Sequence, residues 1–376
     1  MPNQTVTEFP IPAANNSPFS IALGPDGNVW FTEVGMSGAG SGIGRITPGG
    51  TITEFNGPGS PGGITAGPDG ALWFTEIAGD KIGRMTTAGV VTDEIPITAG
   101  SATHEITTGP DGVLWFAEAG KNQIGRIDPT THVLTEFSAG ITAGSAPFDI
   151  VSGPDGALWF TEIHGDRIGR ITTGGVVTEF AVNKHPSYIT VGPDGALWFS
   201  ESDVEKNDNV NKIGRITTAG VFTEFTPPTA GSKPQGITVG PDGAIWFAEA
   251  AGNKIGRLTA DGTFNEFPTS SSTPFGIVTG ADGHLWFTEF SGNQIGEIAV
   301  PPTPPPPAGT TADMVLRRAD GIYEIYNVGN NAILASYQLG RVGAEWQFVT
   351  LGGFFGSDTA DMLLRNSTTG GSYGLG

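Results

Sequence analysis

Along this chain the apolar residues follow no helical period; they come in short runs separated by turn signals. One run, an aliphatic residue followed by Trp-Phe-x-Glu, returns seven times, with its tryptophan at Trp30, Trp73, Trp115, Trp159, Trp198, Trp246 and Trp286. The intervals are 43, 42, 44, 39, 48 and 40 residues, the period of a four-stranded propeller blade. Each run follows Gly-(Pro/Ala)-Asp-Gly. In that turn proline presets φ, aspartate bonds its own backbone, and glycine takes a positive φ. Within the second unit the pattern predicts strand A over residues 63–66, B over 71–76, C over 81–86 and D over 90–95. Strand B is a continuous Leu-Trp-Phe run without alternation, which suits a blade whose two faces both pack on neighbours.

Each unit continues with Ile-Gly-Arg (Ile82-Gly83-Arg84, Ile168-Gly169-Arg170) and then Thr-Glu-Phe (Thr53-Glu54-Phe55, Thr178-Glu179-Phe180). A four-residue loop between strands B and C would set Arg84 opposite Trp73, within reach of cation–π stacking. The seventh unit runs through Ile295-Gly296-Glu297 and meets a proline tract before its fourth strand. That strand is present at the other end, as Val6-Thr7-Glu8-Phe9. An N-terminal strand completing the last blade closes the ring and leaves no open sheet edge. The expected fold is therefore all-β: a seven-bladed β-propeller over residues 1–299.

Residues 300–311 form a proline-rich linker, stiff enough to mark a domain boundary. Beyond it Ala312-Asp313-Met314-Val315-Leu316-Arg317 recurs as Ala360-Asp361-Met362-Leu363-Leu364-Arg365, so residues 312–376 read as a small β-rich segment that stops mid-unit at Gly376. The segment resembles FG-GAP/VCBS repeats, many of which hold calcium in carboxylate-rich loops. Here Asp358 and Asp361 remain while the earlier carboxylates are missing, and calcium is not expected.

Composition narrows the partners. With 38 acidic and 18 basic side chains the net charge is −20, which repels phosphate backbones and argues against nucleic acid. The chain has no cysteine, so disulfides and thiolate chemistry are excluded. No apolar run is long enough for a membrane span, and Met1-Pro2-Asn3-Gln4-Thr5 shows neither the basic nor the apolar part of a signal peptide. A monomer is expected, exported by a route without an N-terminal signal or, alternatively, cytoplasmic.

Antiparallel order brings the start of strand A and the end of strand B to one face of the ring. Seven glutamates end the B strands there: Glu33, Glu76, Glu118, Glu162, Glu201, Glu249 and Glu289. A carboxylate ring at the mouth would suit a hard cation or a cationic ligand, with Glu118, Glu162 and Glu289 as candidate metal ligands. The other reading ties each glutamate to its own loop. His132, His164 and His284 fall in loops or at strand edges, where a solvated role is expected, and His185 is ambiguous. Departures from the repeat carry more information. Where other units have Pro-x-Gly before strand A, this chain places His104 and Glu105 in blade 3 and Asp149 in blade 4. These three are the candidate catalytic residues; ordinary hydrogen bonding is the alternative.

The units Gly-Pro-Asp-Gly-Ala-Leu-Trp-Phe-Thr-Glu, Ile-Gly-Arg-Ile-Thr-Thr-x-Gly and Val-Thr-Glu-Phe resemble those of the virginiamycin B lyase family, across all seven blades. The resemblance implies a propeller that linearises cyclic depsipeptide antibiotics by C–O elimination with Mg²⁺. It places the chemistry on histidines in Pro-His-(Ala/Gly)-Ile motifs opening blades 6 and 7, and on blade 7 glutamates. Here those motifs read Pro234-Gln235-Gly236-Ile237 and Pro274-Phe275-Gly276-Ile277, with Thr273 where a glutamate precedes the proline. Glu289 is the residue that matches. Two function classes follow: a lyase with its base relocated to His104, or a non-catalytic extracellular propeller that binds a small molecule, cyclic peptide or partner at its mouth. A gluconolactonase-like metal hydrolase is a third.

Overall fold

The computed structural model describes residues 4–13, 16–35, 41–56, 59–202, 210–270 and 272–300, and the strand backbones of the tail between 312 and 375. Seven four-stranded antiparallel sheets follow one another in order A-B-C-D. In blade 2 the strands are Pro61–Ala66, Leu72–Glu76, Lys81–Met85 and Val91–Pro96. The A strands contact one another around a closed circuit, Pro18–Leu23 of blade 1 meeting both Pro61–Ala66 and Pro274–Thr279 of blade 7. This is a seven-bladed propeller. Strand A starts two residues earlier than its apolar pattern suggests, because its register on strand B shifts between Pro61 and Ile64. The same bulge recurs in the other six blades.

Blades 1 to 6 share one small constellation of aspartate, tryptophan and arginine, as blade 2 shows. Asp69 accepts the Trp73 indole N–H at 3.0 Å with one oxygen and Arg84 Nε at 2.7 Å with the other. Arg84 pairs with Trp73 across strands B and C and lies 5.9 Å from its ring centre. On five of the tryptophans a strand D phenylalanine stacks, as Phe55 does on Trp30 at 5.3 Å. Burying a tryptophan and its phenylalanine contributes about 2–3 kcal/mol each, and the tryptophan's turn recurs in every blade.

Blades are stitched by hydroxyls at the centre of strand B. Thr161 Oγ1 accepts the Asp149 N–H at 3.0 Å and donates to the Ser187 carbonyl of the next blade at 2.7 Å. Thr75 and Thr32 repeat the arrangement, and Thr288 carries it from blade 7 to Phe19 of blade 1. The ring closes on strand Val6–Pro10, which pairs with Gln294–Ile298 in the register Val6↔Ile298 to Pro10↔Gln294. There Phe9 stacks on Trp286 at 5.7 Å, in the place of the strand D phenylalanine.

Contacts group residues 1–303 as one unit and 304–376 as a second. The second contains two three-stranded antiparallel sheets, Ala312–Arg317 with Ile322–Gly329 and Ala332–Arg341, and Trp346–Gly352 with Asp361–Asn366 and Ser372–Leu375. Asp358 lies outside the described residues. Among the described residues no helix is long and apolar enough to cross a membrane.

Candidate functional site

The bulge frees two residues per blade from the strand B ladder, and these residues surround the ring axis. A cavity of about 120 Å³ there is lined by Phe19, Ser20, Ile21, Glu105, Asp149, Tyr188, Gly236, Ile237, Gly276 and Ile277. Its walls come from the A strands of six blades, so it is axial. The glycines are required by close approach. A Cβ on Gly236 would stand 2.5 Å from the Phe275 carbonyl oxygen, and one on Gly63 would stand 2.6 Å from Glu105 Oε2.

The polar residues of the cavity are neighbours of one another. Glu105 accepts the Ser20 hydroxyl at 3.0 Å. Asp149 accepts the N–H groups of Ile150 at 2.7 Å and Ile189 at 2.8 Å. Burial raises both carboxyls above their ordinary range, and the charge of Glu105 raises Asp149 further. Tyr188 is 7% exposed, and its buried hydroxyl has no hydrogen-bond partner. Burial and then the two carboxylates hold that hydroxyl in its neutral form. Around it lies an aromatic rim. Phe148 packs edge-on against Tyr188 at 5.3 Å, Phe275 does so at 5.8 Å, and Phe19 packs on Phe275 at 4.8 Å. His104 joins the rim through Phe148, 4.4 Å away, with Nδ1 buried and unpartnered. Burial lowers His104 to about 4, so the imidazole is neutral near pH 7.

Of the expected site residues, His104, Glu105 and Asp149 thus gather on one side of the axis. The glutamate ring is different from what the strand order suggested. All seven B-strand glutamates are 2% exposed or less, and they line no open mouth. Each turns toward the B–C loop of its own blade, where a strand D carboxylate acts on it: Glu54 on Glu33, Glu136 on Glu118, Glu179 on Glu162, Glu224 on Glu201. Burial and these neighbours push Glu33, Glu162 and Glu249 up to about 8 and Glu201 to about 9. Glu118, Glu162 and Glu289 form no three-ligand cluster with any other His, Asp or Glu among the described residues.

One such cluster lies elsewhere, on the outer part of blade 7. His284, expected to be solvated, is hydrogen-bonded to Glu297 and stands 4.0 Å from Asp282. Glu297 occupies the place of the blade arginine, opposite Trp286, and His284 bonds to it there. A larger cavity of about 300 Å³ between blades 5 and 6 is lined by a structural Asp194–Arg215–Trp198 set and brings no further titratable groups together.

The chain belongs to the virginiamycin B lyase family, whose model matches residues 1–140 and 130–303. Among solved structures, a streptogramin B lyase is 35% identical over 80% of this chain and 98% of its own, with a TM-score of 0.71. A catalytically inactive histidine-to-alanine variant of virginiamycin B lyase from Staphylococcus aureus, solved with quinupristin, is 37% identical over 80% of this chain and all of its own, also at 0.71. Hydrazine synthase from Kuenenia stuttgartiensis, at 17% identity and a TM-score of 0.64, shares the fold. No curated protein sequence matches this chain.

The positions that the resemblance marks as catalytic are filled by other chemistry. Gln235 is 3% exposed and pinned, its Nε2 donating to Ser202 Oγ at 2.6 Å and to the Pro234 carbonyl at 3.1 Å. Phe275 belongs to the aromatic rim and also faces Phe290 at 6.0 Å. Thr273 holds a left-handed φ of 55°. Glu289 accepts the Ser272 hydroxyl at 2.5 Å and is fully buried. Mg²⁺ takes an octahedral set of oxygens from carboxylates and water. Glu289, fully buried, bonded to Ser272 and part of no three-ligand group among the described residues, does not offer that set.

Sequence reasoning passed over Tyr188, Ser20 and the phenylalanine rim. The signal was available: Pro186-Ser187-Tyr188 and Pro18-Phe19-Ser20 break Pro-x-Gly as His104-Glu105 does.

Proposed function

We propose that this chain is a ligand-binding propeller of the virginiamycin B lyase family that has given up streptogramin elimination. The observation that carries the reading is the pair Gln235 and Phe275, neither of which titrates near neutral pH. Loss of a general base alone costs about 10²–10⁴-fold in rate, and the partner carboxylate position holds Thr273. In place of a base, the mouth offers an aromatic rim over a polar axial cavity, which suits recognition of an amphipathic ligand such as a cyclic peptide or small molecule. A secreted location agrees with the acidic, cysteine-free composition.

A second reading keeps the lyase with His104 as a relocated base. Its unpartnered Nδ1 favours it. Against it, a histidine held near 4 is a weak base for removing an α-proton. Incubation with a streptogramin B and Mg²⁺, followed by mass spectrometry, separates the two. The binding reading expects no linear product above background. Product formation that His104→Ala abolishes would establish the second reading, and product that survives it would defeat both.

A further inference from the structure

We propose that the axial cavity recognises a protonated primary amine, held by Glu105, Asp149, Tyr188 and Ser20 beneath the aromatic rim. The proposal deepens the binding reading above by naming the group that a ligand would lead with.

Three observations converge. First, two carboxyls share a cavity of about 120 Å³ with no lysine or arginine among its lining residues. Asp242, a buried carboxylate of blade 6, by contrast meets Arg257 at 2.6 Å. Second, the Tyr188 hydroxyl is buried and unpartnered. A buried hydroxyl left without a bond costs about 1–3 kcal/mol, so the site is incomplete as the protein alone presents it. An ammonium group has three donors and no acceptor. It matches oxygens of Glu105, Tyr188 and Ser20, while both Asp149 oxygens already accept backbone N–H groups. Third, Phe19 lines the cavity, Phe148 and Phe275 pack against Tyr188, and neutral His104 packs on Phe148, an aromatic surround whose ring faces attract a cation once it is desolvated.

Charge favours a monovalent guest. Burial raises both carboxyls and the charge of Glu105 raises Asp149 further, so full ionisation of the pair is disfavoured. A divalent ion lacks a third carboxylate or imidazole here among the described residues. Binding of an amine stabilises the ionised form and favours proton release from the pair. The groups facing the guest are Glu105, Asp149 and Tyr188, with His104 at the rim, and His104 stays neutral over the range tested.

The experiment uses the full chain. Methylammonium, ethylammonium and butylammonium chlorides are titrated at constant ionic strength against sodium chloride, with thermal melting and calorimetry as readouts. A primary ammonium should raise the melting temperature by several degrees at about 100 Kd, and calorimetry near pH 7 should detect proton release. Glu105→Gln should weaken binding at least about tenfold and Tyr188→Phe about three- to tenfold, while Glu162→Gln, at a buried glutamate that does not line the cavity, should leave it unchanged. If Glu105→Gln fails to fold, Tyr188→Phe carries the test, since it removes one oxygen and no volume. A lysyl tripeptide that binds more tightly than butylammonium would identify a polypeptide amine, and equal affinity a free one; both support the site. Silence toward every ammonium, shifts that survive both axial variants, or a Glu105-dependent response to Mg²⁺ alone would overturn it. Streptogramin turnover would overturn the binding reading and leave this measurement standing.

Discussion

The buried glutamates make stability depend on pH in a direction opposite to that of most acidic proteins. An unfolded glutamate gives up its proton near 4.5, while burial holds the folded ones to about 7 at Glu76, Glu118 and Glu289, about 8 at Glu33, Glu162 and Glu249, and about 9 at Glu201. Because the folded pKa values are raised, their contribution is fully present below pH 4.5 and is lost as pH climbs through 7 to 9. Each proton retained only by the folded state changes stability by about 1.4 kcal/mol per pH unit. If two of the seven behave so, the slope is about 3 kcal/mol per unit. For a ring of this size that is about 5 °C in melting temperature, taking about 2 °C per kcal/mol. At the acid end the trend reverses. Burial alone would raise Asp69, Asp155 and Asp194, but hydrogen bonds from their arginines and tryptophans hold them low. Their contribution is present above the ordinary aspartate range and is lost as pH falls through the depressed values. Calorimetry from pH 4.5 to 8.5 should therefore show a maximum near pH 5 and a steady decline above it. Self-repulsion of a chain carrying −20 pushes the same way, but about 0.5 M salt screens surface charges and leaves buried ones alone. Glu162→Gln should melt higher than the parent at pH 8, with the gap closing as pH falls toward 4.5. A melting temperature that stays flat or rises from pH 5.5 to 8 in high salt would refute the reasoning.

Other outcomes follow from particular contacts. Removing residues 1–10 takes away Phe9 and the fourth strand of blade 7; the shortened chain should aggregate or melt far below the parent, as light scattering and circular dichroism would reveal. Thr161→Val unpairs a buried N–H and a buried carbonyl between blades 4 and 5, and chemical denaturation should show a loss of about 2–4 kcal/mol. Thr273→Asn relieves a β-branched residue at φ 55° and should stabilise by about 1 kcal/mol, read as a small rise in melting temperature. A chain ending at Thr303 should keep the parent's melting transition, because contacts group residues 1–303 as one unit.

Much of the ring was legible because each blade encodes itself locally. The Asp-Gly turn, the tryptophan four residues after the aspartate and the arginine opposite it are short-range relations, and the closing strand is a missing repeat found at the other terminus. What was not legible depends on meetings across the fold. The bulge at Pro61 belongs to the pairing of A on B and leaves no mark in the apolar pattern. The glutamate ring was visible as seven positions, yet its burial is decided by loops and strand D carboxylates that pack over it. His284 looked solvated because its partner, Glu297, is reached only by folding strand C back. At the axis, His104, Glu105 and Asp149 stood out as breaks in the repeat, whereas Tyr188 gains its meaning from acids on two other blades.

The pairing of Val6 with Ile298 also sets when the ring is complete. Their separation is 298 − 6 = 292 residues. On the ribosome, at about 5–20 residues per second, the first strand waits about 15–60 s for its partner. Through that interval blade 1 has no blade 7 to lean on, and the Phe19 carbonyl lacks its Thr288 donor. Until blade 7 is made, the contacts that close the ring, Val6–Pro10 on Gln294–Ile298 and Thr288 on Phe19, are unavailable to the blades before it. The polar edge of the waiting strand, Thr7 and Glu8 among Val6 and Phe9, is then what keeps it from pairing with a neighbouring chain. Closure is thus a single late event, and damage to either end of the ring should be felt during synthesis before it is felt in the finished protein.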